Sequence, residues 1–360
     1  MESYIITDNS EWEKQFIYQD LLQIDDKSYN KIIYTNENLN YYNTEGWKKL
    51  ENIEDIINNN IFIFSSNKHR NNYINDSDLN DYIKKNKKEL EIKTIKLGFS
   101  LYARPAPLSR KDIEQYYNIL NIVKLLKPKI IIHLSDEWGN KEYFQNLYQY
   151  TNLLLRQYKH NYYDRNNIEY IPLGYMNEML EKDYLNIKLK LSEERKYIWS
   201  FIGDINKDTN KGKIVDDILF RPCKKYSEIK EREYMVNKMK FFKSNYYGKA
   251  TKTEMRNIYR ESIFVPNCRG NLSLNCFRLY EASLCGAIPI IVGDEKGIEE
   301  TFCREENPPW LTFDSWDNAV THCKYLLKDM DKLNIISRNN IIWWESRVLK
   351  IRDLIKNNLH

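Results

Sequence analysis

Residues 265–295 read VPNCRGNLSLNCFRLYEASLCGAIPIIVGDE, and this stretch decides the fold. A short apolar run that contains Pro266 leads into a polar loop, and the loop leads into a second apolar segment with small residues. The run IPIIV follows at 288–292. Short apolar runs bounded by turn residues are typical of buried strands, and the longer segment between them suits a helix. The stretch therefore predicts one unit of strand, loop, helix and strand.

The same alternation of apolar runs and amphipathic segments continues along the chain. Strands are predicted at 31–35, 61–65, 94–101, 129–134, 152–158, 168–175, 197–204, 263–266 and 288–292. Helices are predicted near 11–23, 47–58, 77–90, 109–126, 140–149, 211–219, 226–242, 253–262, 296–303, 315–328 and 331–357. Strands that alternate with helices form parallel sheets, so the fold class predicted is α/β.

The length of 360 residues exceeds what one hydrophobic core usually supports, which favours two domains. A charged segment at 177–196 interrupts the alternation and marks the boundary. We expect an N-terminal Rossmann-like domain at 1–190, a C-terminal Rossmann-like domain at 191–335, and a helix at 336–360 that returns to the first domain. Two such domains are expected to face a cleft, because open α/β sheets bind ligands at the carboxyl ends of their strands.

Composition excludes several classes of protein. Lys and Arg number 55 and Asp and Glu 51, so a net charge of +4 argues against a nucleic-acid binder. The first residues lack a basic flank and a long apolar run, and no 18-residue apolar segment occurs, so we expect a soluble, cytoplasmic protein without a signal peptide or membrane span. The six cysteines form no C-x-x-C pair, so reduced thiols are expected and a zinc site is not. No G-x-G-x-x-G motif follows an early strand, which argues against an NAD oxidoreductase.

The loop within the opening stretch has the features of an anion site. Gly270 and Ser273 let its backbone approach a ligand, and we expect the following helix to begin with Ser273 or Asn275 as its N-cap. A helix N-terminus favours an anion, and Arg269 stands just before it as a phosphate ligand. The sequence therefore predicts a site for a phosphate group here.

Two charges interrupt the apolar helix of the same stretch. Arg278 and Glu281 are three residues apart and share a face of the helix. A carboxylate at this position can accept hydrogen bonds from both hydroxyls of a ribose, and an arginine can neutralise a diphosphate. The alternative is an ordinary ion pair on an exposed helix face.

The whole run from Glu261 to Asp294 resembles the signature of the exostosin-like glycosyltransferases, glycosyltransferase family 47. A strand with a proline, a Gly and Ser loop, an Arg-x-x-Glu-Ala helix and a Gly-x-Ile-Pro strand occur in that order. The matching residues are Pro266, Gly270, Ser273, Arg278, Glu281, Ala282, Gly286, Pro289 and Asp294. FIGD at 201–204 and YYGKATKTEMRNIYRES at 246–262 are similar to the donor domain of that family. IIHLSDEWGNKEY, LLRQY and YIPLGY, within 131–175, are similar to the acceptor domain of its ribitol xylosyltransferase branch.

The resemblance implies a GT-B fold and an inverting transfer of a sugar from a UDP-sugar to a glycan hydroxyl. UDP-xylose is the first expectation for the donor, and the fold needs no metal ion or other cofactor for the leaving diphosphate. Characterised animal members are membrane-anchored, whereas this sequence shows no anchor, so a cytoplasmic or viral glycan pathway is the expected setting. The resemblance assigns the ribose to Glu281, and the diphosphate, or support of Glu281, to Arg278. The oligomeric state is not predicted.

Further site residues are expected around these two. Besides Arg269 and Arg278, the candidates for binding the diphosphate are Lys249 and Arg156, each of which has a surface or structural charge as its alternative. Gly203 would allow the donor to approach the backbone, or would simply belong to a turn. The catalytic base is expected in HLSDEW at 133–138, which follows a buried strand. Asp136, Glu137 and His133 are the candidates, and their spacing does not decide between the two acids.

Two other functions remain open at this point. One is a catalytically inactive nucleotide- or sugar-binding protein of the same fold, which only a turnover assay distinguishes from an enzyme. The other is a different nucleotide-dependent enzyme with Rossmann-type domains. The acidic triplets at 76–78 and 329–331 are interpreted as helix starts and not as metal sites.

Overall fold

The computed structural model divides the chain into two compact units. Unit 1 comprises Met1–Ile171 and Lys350–His360, and unit 2 comprises Pro172–Leu349. The residues that the structure describes are 4–7, 15–23, 60–65, 73–74, 97–98, 123–124, 127–134, 137, 148–159, 166–176, 178–179, 189–205, 224–270, 273–302, 305 and 307–359. The predicted strand at 31–35, the predicted helices at 47–58, 77–90, 109–126, 140–149 and 211–219, and the first acidic triplet lie wholly or largely outside these residues.

Unit 1 contains a parallel sheet. Its strands are β1 (Tyr4–Thr7), β2 (Asn60–Ser65), β5 (Ile130–Leu134), β6 (Leu153–Arg156) and β7 (Ile168–Tyr170), in the order β1-β2-β5-β6-β7. All neighbouring pairs are parallel. Strand β5 is buried along its whole length, as its run of three isoleucines predicts. A π-helical turn covers Phe16–Leu21.

A separate pair of short strands corrects one prediction in this unit. β3 (Tyr73–Ile74) and β4 (Leu97–Gly98) pair with each other in antiparallel orientation and stand apart from the parallel sheet. The segment 94–101 was expected to be a strand of that sheet. The expectation that segment 94–101 joins the parallel sheet is wrong. The residue pattern predicts that a segment is extended, but the path of the chain decides which strand it pairs with.

Unit 2 contains the second parallel sheet. Its strands are β8 (Tyr197–Ile202), β9 (Asn245–Gly248), β10 (Ser262–Asn267), β11 (Ile288–Val292) and β12 (Leu311–Phe313), in the order β12-β11-β10-β8-β9. The register places Phe264 of β10 beside Trp199 of β8 and Ile288 of β11. The edge strands β9 and β12 were not predicted, because they are short and only partly buried and so lack a continuous apolar run.

Helices connect these strands. The structure has α1 (Lys224–Met239), α2 (Lys252–Arg260), α3 (Phe277–Leu284), α4 (Glu295–Phe302), α5 (Trp316–Leu326) and α6 (Met330–Leu359). Side chains of α1 and α5 form one core with the apolar residues of β8, β10 and β11, and Trp199 is buried at its centre. α2 and α3 pack against each other and against β10. Asp329, in the second acidic triplet, accepts a hydrogen bond from the Lys332 N–H and starts α6, as predicted.

The predicted fold class is confirmed. Two separate parallel sheets with connecting helices make this an α/β protein. The strand–loop–helix–strand unit of the opening stretch is β10, α3 and β11, and their pairing is parallel. The four cysteines at described positions, Cys268, Cys276, Cys285 and Cys323, are free thiols. None of the helices in the described part of the chain combines the length and apolarity that a membrane crossing needs.

The long helix α6 contributes to both units, because residues from Lys350 onward belong to unit 1. Within unit 1, Lys129 donates a hydrogen bond to the carbonyl of Leu359. Arg352 donates another to the carbonyl of Asp20. These bonds hold the last turns of α6 against unit 1.

A buried arginine connects four segments of unit 2. Arg195 donates through Nη1 to the carbonyls of Ser262 (2.7 Å) and Gly286 (2.8 Å), and through Nη2 to Ser337 Oγ (2.7 Å) and the carbonyl of Lys190 (3.1 Å). Burial lowers the pKa of Arg195 to about 10, which leaves it charged at neutral pH. The guanidinium therefore joins the start of β10, the end of α3 and the first half of α6.

Gly286, whose carbonyl accepts a hydrogen bond from Arg195, has a backbone conformation that requires a glycine. It follows α3 with a φ of 72°, in the left-handed region that favours glycine. A side chain there would collide with Leu189. The Gly of the sequence motif CGAIP thus allows α3 to turn directly into β11.

Removing this arginine is expected to destabilise unit 2. Arg195→Met removes the buried donor to the carbonyls of Ser262 and Gly286. Among the described residues Gly286 then keeps only the Ser337 hydroxyl as a donor, and the substitution should lower the free energy of unfolding by about 3 kcal/mol. Urea denaturation followed by tryptophan fluorescence measures the loss. Arg338→Met, an exposed arginine on α6, is the control and should change it by less than about 0.5 kcal/mol. Equal effects of the two substitutions would contradict the connecting role.

Candidate functional site

The strand order of unit 2 identifies one edge as the place for a ligand. From β8 the chain passes to β9 on one side, and β10 then lies on the other side of β8. Such a reversal opens a crevice at the carboxyl ends of the two central strands, and α/β proteins bind ligands there. The crevice in this unit lies between the ends of β8 and β10.

Arg278 of α3 lies at this point of reversal. Its Nε and Nη2 donate to the carbonyl of Ile202, each at 3.2 Å, and its Nη1 donates to the carbonyl of Cys268 at 3.4 Å. The guanidinium also lies over the ring of Phe201, 4.3 Å from its centroid. Arg278 therefore joins the carboxyl end of β8 to the residue that follows β10.

A second arginine, Arg232 of α1, bridges the same two loops. It donates to the carbonyl of Asp204 after β8 (3.1 Å) and to the carbonyls of Arg269 and Gly270 after β10 (both 2.8 Å). Sequence reasoning did not single out Arg232. It stands in a basic helix among similar charges, and no local pattern distinguishes an arginine that contacts loops from one that faces water.

The loop between β10 and α3 is held from within by a buried amide. Asn267 donates through Nδ2 to the carbonyl of Leu274 (2.8 Å), and its Oδ1 accepts from the thiol of Cys276 (2.7 Å). Gly270 N–H donates to the carbonyl of Ser273 at 2.9 Å, which tightens the loop. Asn267 is fully buried. These bonds fix the described ends of the loop on which Arg269 and Ser273 stand.

The predicted N-cap of α3 is wrong. The helix begins at Phe277, and the capping position belongs to Cys276, whose side chain makes no capping hydrogen bond. Ser273 Oγ instead accepts from the N–H of Asn275 at 3.0 Å and so forms a turn before the helix. Both predicted residues have capping chemistry, but the loop uses one for its own turn, and Asn275 Oδ1 accepts from Tyr280 at 2.8 Å.

Glu281 of α3 is a buried carboxylate. Only 2% of its surface is exposed. Its Oε1 accepts a hydrogen bond from the main-chain N–H of Met176 at 3.2 Å. Burial raises the pKa of Glu281 to about 7, because the charged form loses its hydration, and the Met176 N–H and the charges of Arg278 and Lys252 offset this loss only in part.

The alternative interpretation of the two helix charges does not hold. Among the residues that the structure describes, no Lys or Arg forms an ion pair with Glu281, and Arg278 binds main-chain carbonyls instead. Glu281 is not exposed either. A buried glutamate without a paired cation is costly for stability, so it is a candidate for ligand binding.

Two exposed cations lie along the same edge, and each has an acidic neighbour. Lys249 Nζ, after β9, is 3.1 Å from Asp204 Oδ1, and 85% of its side chain is exposed. Arg269 Nε is 3.7 Å from Glu231 Oε2 and is 44% exposed. Burial of Glu231 raises its pKa, and the charge of Arg269 opposes that effect. The Lys249–Asp204 pair is exposed and therefore weak, and Arg269 stands beyond hydrogen-bond distance of Glu231, so both cations can turn toward an anion.

The guanidinium of Arg278 lies close to Gly203, the residue after β8. A Cβ at this position would lie 3.1 Å from Nη2 of Arg278, which is tighter than ordinary packing. The absence of a side chain at Gly203 thus makes room for the guanidinium that joins β8 and β10.

Three of the four predicted residues of unit 1, His133, Glu137 and Arg156, are described, and they lie in or just after the carboxyl-terminal halves of β5 and β6. His133 and Arg156 are both buried and pair in register on β5 and β6. The guanidinium of Arg156 lies 5.7 Å from the centroid of the Tyr148 ring, so Arg156 is an internal charge and not a surface charge. Glu137 lies in a half-buried turn after β5. Asp136 lies outside the described residues.

A metal centre would need acidic, histidine or cysteine side chains as its ligands. Within the described ranges, no group of three or more of them is placed to hold a metal ion.

Comparisons with known proteins give structural likeness and no sequence match. No protein-family model matches the chain, and no curated protein matches it in sequence. The structure is similar to HepE of Anabaena in complex with UDP, at 9% identity and a TM-score of 0.50, over 100% of this chain and 99% of that one. It is also similar to sucrose-phosphate synthase from Thermosynechococcus elongatus (10%, 0.44, 99% of both chains). A third similar structure is T4 phage BGT in complex with UDP and Mn²⁺ (11%, 0.45, 100% of this chain and 99% of that one).

The likeness to HepE extends over the whole chain and concerns the fold. Together with the two parallel sheets described above, it shows that the chain has the GT-B fold, as predicted. At 9% identity the comparison identifies neither residues nor chemistry.

The raised pKa of Glu281 predicts a pH-dependent stability. A carboxyl group whose pKa is about 7 in the folded protein and near 4.5 in the unfolded chain stabilises the fold below pH 4.5. This stabilisation, on the order of 3 kcal/mol, is lost as the pH rises to 7. Glu281→Gln keeps an acceptor for the Met176 N–H but cannot ionise, so it should lose less stability than the wild type between pH 5 and 8.

Urea denaturation of both proteins at pH 5 and pH 8 measures this difference. Other titrating groups are common to both proteins and cancel in the comparison. Parallel pH profiles would show that Glu281 is ionised in the folded protein at both pH values, which contradicts the expected shift.

Proposed function

We propose that this protein is a glycosyltransferase whose unit 2 binds the nucleotide of a nucleotide sugar. The observation that carries the proposal is Glu281, a buried carboxylate beside the point where the strand order of a GT-B sheet reverses. HepE, with which the chain shares its fold, is in complex with UDP in the solved structure, which supports a uridine nucleotide as the first candidate.

The ribose is assigned to Glu281. An ionised carboxylate accepts up to about four hydrogen bonds, and among the described residues only the Met176 N–H donates to it. The two hydroxyls of a ribose would supply further donors. They would favour the charged form of Glu281 and offset the cost of burying it.

Arg278 is assigned to positioning and not to direct contact with the diphosphate. A guanidinium has five N–H donors. Its nitrogens already contact the carbonyls of Ile202 and Cys268 and the sulfur of Cys276, which leaves at most one N–H without an acceptor. Its charge still lies next to Glu281 and the start of α3. This position supports the second of its two predicted roles.

The leaving diphosphate is assigned to Arg269 and Lys249, together with the N–H groups at the start of α3. Both side chains are exposed and paired only weakly with Glu231 and Asp204. Charge that develops on the diphosphate as the bond to the sugar breaks would draw them from these carboxylates. Because these cations come from the chain itself, we propose that transfer needs no metal ion.

The acceptor half of the reaction is assigned to unit 1. A base removes the proton of the acceptor hydroxyl as its oxygen attacks the anomeric carbon, and the diphosphate leaves from the opposite face with inversion. Glu137, Asp136 and His133 remain the candidates. Glu137 is favoured over His133, because it is half-buried whereas His133 is fully buried within β5. Xylose as the sugar, a glycan as the acceptor and membership of the exostosin-like family rest on the sequence resemblance.

Uridine nucleotides are expected to stabilise the protein. UDP, GDP, UDP-xylose, UDP-galactose, UDP-glucuronate and a GDP-sugar are compared by thermal shift and calorimetry, and UDP compounds should raise the melting temperature. Glu281→Ala should weaken UDP binding at least tenfold, because hydrogen bonds to a charged acceptor are lost.

The control variant is Glu261→Ala. Glu261 immediately precedes β10 at the amino edge of the sheet and pairs with Lys190, so its loss should leave UDP affinity unchanged. A protein whose melting temperature responds to none of the six compounds would overturn the proposed function.

Turnover separates an enzyme from an inactive binding protein. Release of UDP from UDP-xylose is measured with a panel of glycan acceptors, with and without EDTA, and transfer should persist in EDTA. Glu137→Gln should bind UDP like the wild type and lower the rate by roughly 10²- to 10⁴-fold, because a general base is lost. His133→Phe and Asp136→Asn are tested beside it.

Two outcomes of this assay decide between the alternatives. Wild-type binding of UDP without release on any acceptor would favour the inactive binding protein. Full activity in all three variants would place the base outside residues 133–137.

A further inference from the structure

Tyr259 carries a buried hydroxyl that has no hydrogen-bond partner in the described part of the structure. It lies in the last turn of α2, and its side chain is fully buried. Its hydroxyl forms no hydrogen bond with any residue that the structure describes. Buried tyrosine hydroxyls are normally paired, because an unpaired one loses its hydration without compensation.

Tyr280 shows the ordinary arrangement in the same unit. It is also fully buried, and its hydroxyl donates to Asn275 Oδ1 at 2.8 Å. Among the described residues, the hydroxyl of Tyr280 has a hydrogen-bond partner and that of Tyr259 has none. This contrast provides a matched pair for experiment.

The unpaired hydroxyl lies in the neighbourhood of Glu281. α2, which carries Tyr259, packs against α3, which carries Glu281. Burial raises the pKa of Tyr259 well above its usual value, and the charge of Glu281 adds to this effect while Arg278 opposes it. The phenol therefore stays protonated at neutral pH and remains a hydrogen-bond donor.

The two groups complement each other as a receptor for a hydroxyl. Glu281 offers acceptors, and Tyr259 offers a donor that is not used within the described structure. A sugar hydroxyl needs both, because it donates one hydrogen bond and accepts others. Since only Met176 among the described residues donates to Glu281, acceptor positions on its carboxylate remain for a ligand.

We infer that Tyr259 recognises the ribose of the nucleotide, donating a hydrogen bond to the oxygen of a hydroxyl whose proton Glu281 accepts. This inference rests on the proposed function, because it assigns a second protein group to the same ribose. It makes the site selective for ribonucleotides, since a deoxyribose would leave Tyr259 and part of Glu281 without partners. Discrimination based on a missing hydroxyl is strong when the protein groups are buried.

Stability separates this role from simple packing. A hydroxyl that only fills space without a partner is a cost, so Tyr259→Phe should leave the melting temperature of the free protein unchanged or raise it. Tyr280→Phe removes the donor to Asn275 and should lower the melting temperature. A drop for Tyr259→Phe would show that its hydroxyl has a partner in the free protein, which contradicts the inference.

The decisive experiment is calorimetric binding of UDP, 2′-deoxy-UDP and 3′-deoxy-UDP to the wild type and both variants. The wild type should bind UDP at least tenfold more tightly than the analogue that lacks the contacted hydroxyl. Tyr259→Phe should weaken UDP binding by about tenfold while leaving that analogue unaffected. Tyr280→Phe should keep the wild-type preference for UDP.

Failure of the inference and failure of the proposed function give different results. If Tyr259→Phe discriminates between UDP and both deoxy analogues as the wild type does, Tyr259 does not recognise the ribose, although UDP binding stands. If the folded wild type binds none of the three compounds, the proposed function itself is overturned, and the inference with it.

Discussion

The hydrogen bonds from Arg278 and Arg232 to main-chain carbonyls hold together the edge of unit 2 on which the candidate site depends. Arg278 connects Ile202 with Cys268, and Arg232 connects the loops that follow the same two strands. Parallel strands diverge at the point where their order reverses, so the carbonyls there have no neighbouring strand to bond with. A guanidinium, with several donors in one plane, satisfies carbonyls of both strands at once. These bonds thereby connect the two sides of the crevice.

This arrangement explains how α3 is oriented. Arg278 lies in its first turn, so the bonds that join β8 to β10 also attach the start of the helix to the sheet. Glu281 follows within the same short helix, and its position is set by that attachment and by the tight turn at Gly286. The carboxylate held in this way is 2% exposed, so its charged form has lost its hydration in the free protein. Among the described residues only the Met176 N–H donates to Glu281, so the proposed ribose would meet a carboxylate that is already in place.

The local pattern of the sequence predicted the central elements of unit 2 well and its details poorly. The runs of β10 and β11 are long and apolar, and the structure places them where the pattern does. The short edge strands β9 and β12 have no such run and were missed. The N-cap of α3 was wrong because capping residues also form turns, and only the path of the loop decides which of the two occurs. Asn267 and Arg232 were missed for a similar reason, since their contacts are with loops distant in the sequence.

The sequence by itself determined the α/β fold class, the strand–loop–helix–strand unit and the presence of Arg278 and Glu281 on its helix, because periodicity and spacing are local properties. Only the tertiary structure decided what these charges touch. Arg278 reaches a carbonyl 76 positions away, and Glu281 accepts from an N–H 105 positions away. It also packed the helix of Tyr259 against the helix of Glu281, with no hydrogen-bond partner for the Tyr259 hydroxyl among the described residues. Contacts over such separations depend on how the whole chain is wound, and no local pattern of residues records that path.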